Sequence, residues 1–449
     1  MPKQTLWGHP KGLYILFFTE MWERFSYYGM RAIFILYLTA KTTEANAGLG
    51  WDKVSALELY GWYTMMVYVM SVPGGLLADR WLGQKKTVML GGVLLCIGHF
   101  ILAFDAIWAF YTGIVFIILG VGALKPNIST MVGCLYQHGD VKRDSAFTIF
   151  YIGINIGAFA APLLVGYVGE VINWHYGFGL AGIGMAIGQI VYVWGQKYLT
   201  TVGDFVPVQR ESGTNRSVPL TSVEKDRLIV LLLSFVIVIV FWGAYEQAGG
   251  LMNLYARDKI DRVMFGFEVP ASFLQALHAF YVILFGVPVA YFWTKWRKKG
   301  RESSSLFKMG LGTIITGFGF LLLAAAAIET ASSLDGKASI YWMFGAYFLH
   351  VIGELSISPV ALSFITKLAP LKYASLMMGA YFMVSGLGNK LAGYIGEAAQ
   401  NAGEYAIFMG VFIFCVSFGL LLVLFVKKLK KLTHGADDID PKVVIVEAE

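Results

Sequence analysis

Long apolar runs recur from one end of this 449-residue chain to the other, and no other feature constrains its fold as tightly. Each run is long enough to cross a hydrocarbon core about 30 Å thick. Apolar residues make up 57% of the chain and charged residues 14%, with a mean hydropathy of +0.64, more apolar surface than a soluble domain of this length needs. The pattern predicts an all-α, polytopic membrane protein. Twelve spans are expected, at 13–39, 54–78, 87–106, 109–134, 145–169, 177–198, 227–255, 272–295, 305–328, 340–368, 373–397 and 404–427. The long polar stretch in the middle, 199–226, is rich in Ser, Thr, Gly and Pro. It reads as a linker between a six-span half at 1–198 and a second half with its tail at 227–449. The polar N-terminus "MPKQTLWGHPKG" has neither an apolar core nor a small-residue cleavage site, so no signal peptide is expected.

Basic residues fix the expected orientation. They crowd the N-terminus (Lys3, Lys11), the connection after the second span (Arg80, Lys85, Lys86), Lys142 and Arg143, the linker, "KWRKKGR" at 295–301 and "KKLKK" at 427–431. The alternate loops hold few: Lys41, Lys53, Arg257, Lys259, Arg262 and Lys337. The positive-inside rule places both termini and the linker in the cytoplasm. The net charge of +6 is spread over many short loops, which argues against a nucleic-acid surface. Cys96, Cys134 and Cys415 lie in or at the ends of apolar runs and offer neither a disulfide framework nor metal-ligand spacing. No Ser, His and Asp arrangement suggests catalysis. "GVGALKPNIS" follows no strand and does not read as a phosphate loop.

The first span, "FFTEMWERFSYYGMRAIFILYL", carries Glu20, Glu23, Arg24 and Arg31. A charge at the bilayer centre costs about 2.5–3.5 kcal/mol on insertion scales. At 100° per residue, Glu20, Arg24, Tyr27 and Arg31 lie within about 60° of one another, with Glu23 and Tyr28 flanking them. This polar stripe must face a bundle interior or a water-filled cavity. Glu20 and Arg24 are spaced to pair within the helix, whereas Arg31 has no acid on its own span. Lys125, Glu246 and Glu354 are the counter-charges that other spans supply. In an apolar interior an unpartnered lysine tends to lose its proton and a glutamate to gain one, so such a set can be switched by protons. It can also clamp a ligand bearing both an amine and a carboxylate. Gly249, Gly250, Pro126 and Pro359 lie next to these charges, where close packing or broken helix geometry is allowed. Most tyrosines and tryptophans of the spans are taken as belt or packing residues, and His278 and His350 as hydrogen-bonded packing residues, although His350 shares a face with Glu354.

Several motifs in order carry a resemblance. "GGLLADRWLGQKKTVMLGG" (74–92), with Asp79, Arg80 and Gly83, resembles the loop motif of the major facilitator superfamily. Glu20-x-x-Glu23-Arg24-Phe25-Ser26-Tyr27-Tyr28-Gly29, "FYIGINIGAF" (150–159), "FWGAYEQAG" (241–249) and "GELSISPVALS" (353–363) are similar to helix signatures of its proton-dependent oligopeptide transporters. The resemblance implies a twelve-helix fold of two six-helix halves with inverted repeats, alternating access, and import of di- and tripeptides across a bacterial inner membrane. Protons would be the coupling ion, with no other cofactor, no metal and no obligate protein partner. It implies that Glu20, Glu23, Arg24 and Glu246 couple protons, with Glu246 pairing Arg31 at an outward gate. Arg31 and Lys125 would meet the peptide carboxylate, and Glu354, helped by Asn155, the amino group. Tyr27, Tyr28, Tyr68, Trp242, Ser358, Tyr381 and Phe382 would complete the pocket. The chain departs from the family in three places: His278 and Ala279 replace an Asn-Pro pair, Tyr381 stands where tryptophan is common, and 199–226 leaves no room for two helices that many bacterial members insert there. Within the resemblance, His278 is expected either to keep a neutral hydrogen bond or to change charge with pH and select peptide side chains.

Overall fold

The computed structural model describes residues 5–136, 140, 142–200, 202–205, 220–369 and 374–437. They fold into α1 (Lys11–Thr39), α2 (Lys53–Val69), α3 (Ser71–Leu77), α4 (Gly83–Leu102), α5 (Ile107–Cys134), α6 (Lys142–Tyr167) and α7 (Trp174–Gly195). After the linker, most of which lies outside the described residues, come α8 (Ser222–Tyr245), α9 (Leu251–Lys259), α10 (Ala276–Lys298), α11 (Ser305–Ser332), α12 (Tyr341–Leu368), α13 (Ala374–Ala402) and α14 (Glu404–Leu432). Among the described residues, strands are confined to two-residue pairs outside the helices. Among the described residues, 9 helical stretches are long and apolar enough to cross a membrane. One of them, Lys53–Leu102, runs through both the second and the third expected spans. The first and eleventh expected spans fall on α1 and α13, outside those nine; α1 carries its charges in mid-helix.

Local chemistry explains the ends and breaks. Thr221 caps α8 by accepting from the Glu224 backbone N–H at 3.2 Å, while Glu224 accepts from the Thr221 N–H at 2.8 Å, the reciprocal box that satisfies two orphan donors. The loop motif closes the turn between α3 and α4, with Asp79 and Arg80 exposed. Its Gly83 has φ +75°, which a side chain rarely adopts. Nearby, Lys85 N–H donates to Gly203 O at 2.8 Å and Lys85 Nζ lies 3.4 Å from Asp204, docking the described start of the linker there.

The larger apolar core includes α1, whose residues from Ala32 to Leu38 are all buried, and a second gathers among α8, α11, α12, α13 and α14. Helix α1 packs on α6 and α7 and touches α9 and the 3-10 turn Ala271–Gln275. Bonds between the elements before the linker and those after it, the two halves of the chain in sequence, collect at the end of the bundle that α1 reaches with its C-terminus. Asn253 Nδ2 donates to Ala32 O at 2.9 Å, Arg257 Nη1 to Thr39 Oγ1 at 2.8 Å, and Lys53 Nζ pairs with Asp258 at 2.7 Å. Glu170 accepts from the backbone N–H groups of Ala271 and Ser272 at 3.1 and 2.8 Å, an acid on a helical N-terminus. That end is held shut by polar contacts.

Candidate functional site

Among the described residues three clusters of buried charge hold the expected site residues, each with a different supporting geometry; Lys390, paired with Glu397, and Asp437, bonded to Ser305, are also buried. The first is within α1. Arg24 Nε lies 3.0 Å from Glu20 Oε1, as the four-residue spacing predicts, and also pairs with Glu23. All three side chains are buried. These are ion pairs by distance without aligned hydrogen bonds: Glu20 Oε2, both Glu23 oxygens, Arg24 Nε and Arg24 Nη2 find no hydrogen-bond partner among the described residues. Lys125 of α5 interacts electrostatically with both acids, and its Nζ lies 3.7 Å from the centroid of the Tyr68 ring. Lys125 makes no ion pair among the described residues. Arg24 lies 5.5 Å from the Tyr27 ring centroid.

The second place joins the halves. Arg31 Nη2 pairs with Glu246 at 2.9 Å, so the arginine that lacked an acid on its own span finds one across the interface. Arg31 Nε donates to Tyr60 Oη at 3.0 Å, and the Tyr60 hydroxyl donates to Glu246 Oε2 at 3.4 Å. The three groups close a ring in which donors and acceptors match. The chain makes room by breaking: α8 stops at Tyr245, Glu246–Ala248 form a 3-10 turn, and α9 starts at Leu251. A Cβ on Gly249 would lie 2.7 Å from Arg31 Nε and closer still to the Tyr60 hydroxyl, so only glycine lets the ring form. Tyr28 stands beside it, its ring centroid 5.7 Å from Arg31.

The third is on the other half. Glu354 of α12 accepts from the Tyr245 hydroxyl at 2.7 Å, and His278 Nε2 of α10 lies 2.8 Å from the same oxygen, Oε2. The Tyr245 and His278 rings meet edge to face at 5.4 Å. His350 is buried against Phe320, ring centroids 4.7 Å apart, with both ring nitrogens lacking a hydrogen-bond partner among the described residues. Arg31 and Tyr28 from one half, and Tyr245, His278 and His350 from the other, line a single pocket between them.

The remaining expected residues divide. Trp242 lies 6.5 Å from Tyr68 across the halves and 5.4 Å from Tyr245; Tyr381 and Phe382 are neighbours at 5.8 Å. Asn155 Nδ2 donates to Tyr151 O at 2.9 Å, one turn back on its own helix, and not to Glu354. Ser358 Oγ, expected near Glu354, finds no hydrogen-bond partner among the described residues. Sequence reasoning missed Tyr60 and Tyr245, which it grouped with packing aromatics. It also missed the His278–Glu354 contact, for which the only signal was a titratable side chain where the family carries an amide.

The POT family model (PTR2) matches residues 85–205 and 216–409. The chain is 34% identical to the uncharacterized transporter YclF of Bacillus subtilis over 485 aligned residues, covering 97% of each chain. It is 34% identical to a di-/tripeptide transporter of Lactococcus lactis subsp. lactis over 490 residues, covering 96% of this chain and 98% of that one. A crystal structure of a peptide transporter, POT, in complex with alafosfalin superimposes with a TM-score of 0.89 at 32% identity, over 96% of this chain and 97% of that one. Both sequence alignments are longer than this chain's 449 residues, so the relatives carry residues with no counterpart here. The family match is interrupted between 205 and 216, inside the short linker.

Proposed function

We propose that this chain, which belongs to the POT family, is a proton-coupled symporter that carries di- and tripeptides across the inner membrane into the cytoplasm. It is a transporter and not an enzyme. The observation that carries the reading is one pocket between two halves where Arg31 enters from one side and His278, bonded to Glu354, from the other. A small peptide has an anionic and a cationic end, and fixed partners of opposite charge on opposite walls would orient it. The peptide transporters among the relatives and solved structures support the substrate class.

In this reading the fold comprises twelve helices in two six-helix halves, with both termini in the cytoplasm. The end tied by Asn253, Arg257 and Glu170 is then the outer one, and the state described is closed to the outside. Protonating Glu246 would release Arg31 and loosen that closure, while Glu20, Glu23 and Arg24 take up or deliver the coupling proton. Arg31 and Lys125 would receive the peptide carboxylate and Glu354 its amino group. Rocking of one half against the other then exposes the pocket to alternate sides.

The test is uptake of a labelled dipeptide by purified protein in liposomes, with and without an inward pH gradient. Accumulation above equilibrium only with the gradient is the expected result. Uptake that ignores the gradient would remove the proton coupling, and absence of uptake would remove the peptide.

A further inference from the structure

Glu354 is already occupied. Its Oε2 accepts from Tyr245 at 2.7 Å and faces His278 Nε2 at 2.8 Å, and a carboxylate oxygen has lone pairs for about two donors. An ionised carboxylate can only accept, so the nitrogen facing it carries the hydrogen. His278 also lines the pocket and keeps 22% of its side chain exposed, so part of the ring meets open space and not packed core. An incoming ammonium therefore meets an acid one of whose oxygens is already taken by another nitrogen donor.

We propose that His278 is a tethered stand-in for the substrate's amino group: charged imidazolium holds Glu354 in the empty transporter, and a peptide ammonium displaces it with release of its proton. The balance is simple. Peptide ammonium plus the imidazolium–carboxylate pair gives the ammonium–carboxylate pair, a neutral imidazole and one proton. In reverse, a proton reaching His278 lets the imidazolium retake Glu354 and expels the amine. This rests on the peptide reading above and adds to it a second proton equilibrium of opposite sign, because protonation at His278 disfavours substrate.

The surroundings bear on the charge. Around His278 stand Glu354, His350 and Tyr347 from α12, Tyr245 from α8, and Tyr28 and Arg31 from α1; Tyr151 of α6 interacts electrostatically with Glu354. Glu354 is the acid in contact, Arg31 is engaged by Glu246, and His350 supplies no acceptor bond. The pairing is therefore local to His278 and Glu354.

The experiment measures binding of dialanine to the intact purified protein from about pH 5.5 to 7.5, the range in which imidazole changes charge. Native protein, His278→Asn and His278→Gln are compared, and proton release is read from the dependence of the binding heat on buffer ionisation. Release of one proton on binding weakens native affinity by up to about tenfold per unit fall in pH while the imidazole of the empty protein is charged. Both variants should lose this decline and release up to one proton fewer per peptide bound. Parallel pH profiles with equal proton release in native and variant proteins would overturn the proposal. Glu354→Gln separates the two levels: unchanged dialanine affinity there removes Glu354 as the amine site and with it the clamp, whatever His278 does.

Discussion

Arg24 and Arg31 lie two turns apart on the same helix and are both buried, yet they are held in opposite ways. Arg24 is paired by Glu20 and Glu23 of its own helix, and several polar atoms of that cluster lack hydrogen-bond partners among the described residues. Arg31 is paired by Glu246 of the other half, and Tyr60 completes the donor and acceptor sets. An ion pair within one helix travels with that helix, so it is indifferent to how the halves are placed. A pair between halves exists in one arrangement and is lost in another. The first can hold or pass a proton without moving the fold, while the second can tie charge to conformation.

The largest effect expected from this contrast is at Arg31. Removing one partner of a buried ion pair costs about 3–5 kcal/mol, because the other charge is stranded. Arg31→Ala should lower gradient-driven dipeptide uptake more than about a hundredfold, and Glu246→Ala should do the same. Glu246→Gln, which keeps a hydrogen-bonding side chain of the same shape, should be milder in exchange than in accumulation. Uptake within a few-fold of native in Arg31→Ala would mean that the closed end is held without this pair.

Glu20→Gln probes the other member of the comparison and should act on coupling alone. The amide keeps the shape beside Arg24 but cannot titrate. Exchange of peptide at equal concentrations should persist, while accumulation under a proton gradient falls at least about tenfold. Native-like accumulation in Glu20→Gln would shift the coupling proton to Glu246 and erase the division of labour between the two arginines.

A smaller effect is expected at Lys125, which sits near the first cluster but over the Tyr68 ring and outside any ion pair among the described residues. In the proposed reading its ammonium meets the substrate carboxylate. A charge-assisted hydrogen bond contributes roughly 1.5–3 kcal/mol, so Lys125→Ala should weaken dipeptide affinity by about tenfold. An analogue lacking the carboxylate should bind native and variant alike. If the variant loses that analogue equally, Lys125 supports the pocket without meeting the substrate.

Periodicity made half of this arrangement legible. A single helix fixes the faces of its own residues, so the pairing of Glu20 with Arg24 and the isolation of Arg31 could be read from α1 alone. Most of the expected spans fall on long helices because apolar length is a property of the local sequence, although the second is divided between α2 and α3 and the seventh breaks between α8 and α9. The partners across helices were another matter. Tyr60 and Glu246 stand 186 residues apart and Arg31 and Tyr60 29 apart, and no period within one helix says which face of a second it meets. The motif resemblance supplied the Arg31–Glu246 pairing; it could not supply His278 with Glu354, because there the chain leaves the family's pattern. Gly249 and Gly250 did mark the break in the seventh span, and at Gly249 the reason is visible only in space: the Tyr60 hydroxyl and the guanidinium occupy the volume a Cβ would take.

Tyr60 offers the finest test, because α2 carries its own control. The Tyr60 hydroxyl bridges Arg31 and Glu246 at 3.0 and 3.4 Å; the Tyr63 hydroxyl, almost one turn on and equally buried, has no hydrogen-bond partner among the described residues. Tyr60→Phe leaves the ion pair but removes one bond from each member. A hydrogen bond to a charged group contributes about 1.5–3 kcal/mol, yet the 3.4 Å contact is long and the pair can re-form without it, so a net of about 1 kcal/mol is reasonable. That corresponds to a fall of about fivefold in uptake rate, with the ratio of accumulation to exchange preserved. Tyr63→Phe deletes a hydroxyl that bonds nothing here and should leave uptake unchanged. Equal losses in the two variants would mean that aromatic packing against Phe34, which touches both rings, matters more than the bridge, and the contrast between the two arginines would rest on Glu246 alone.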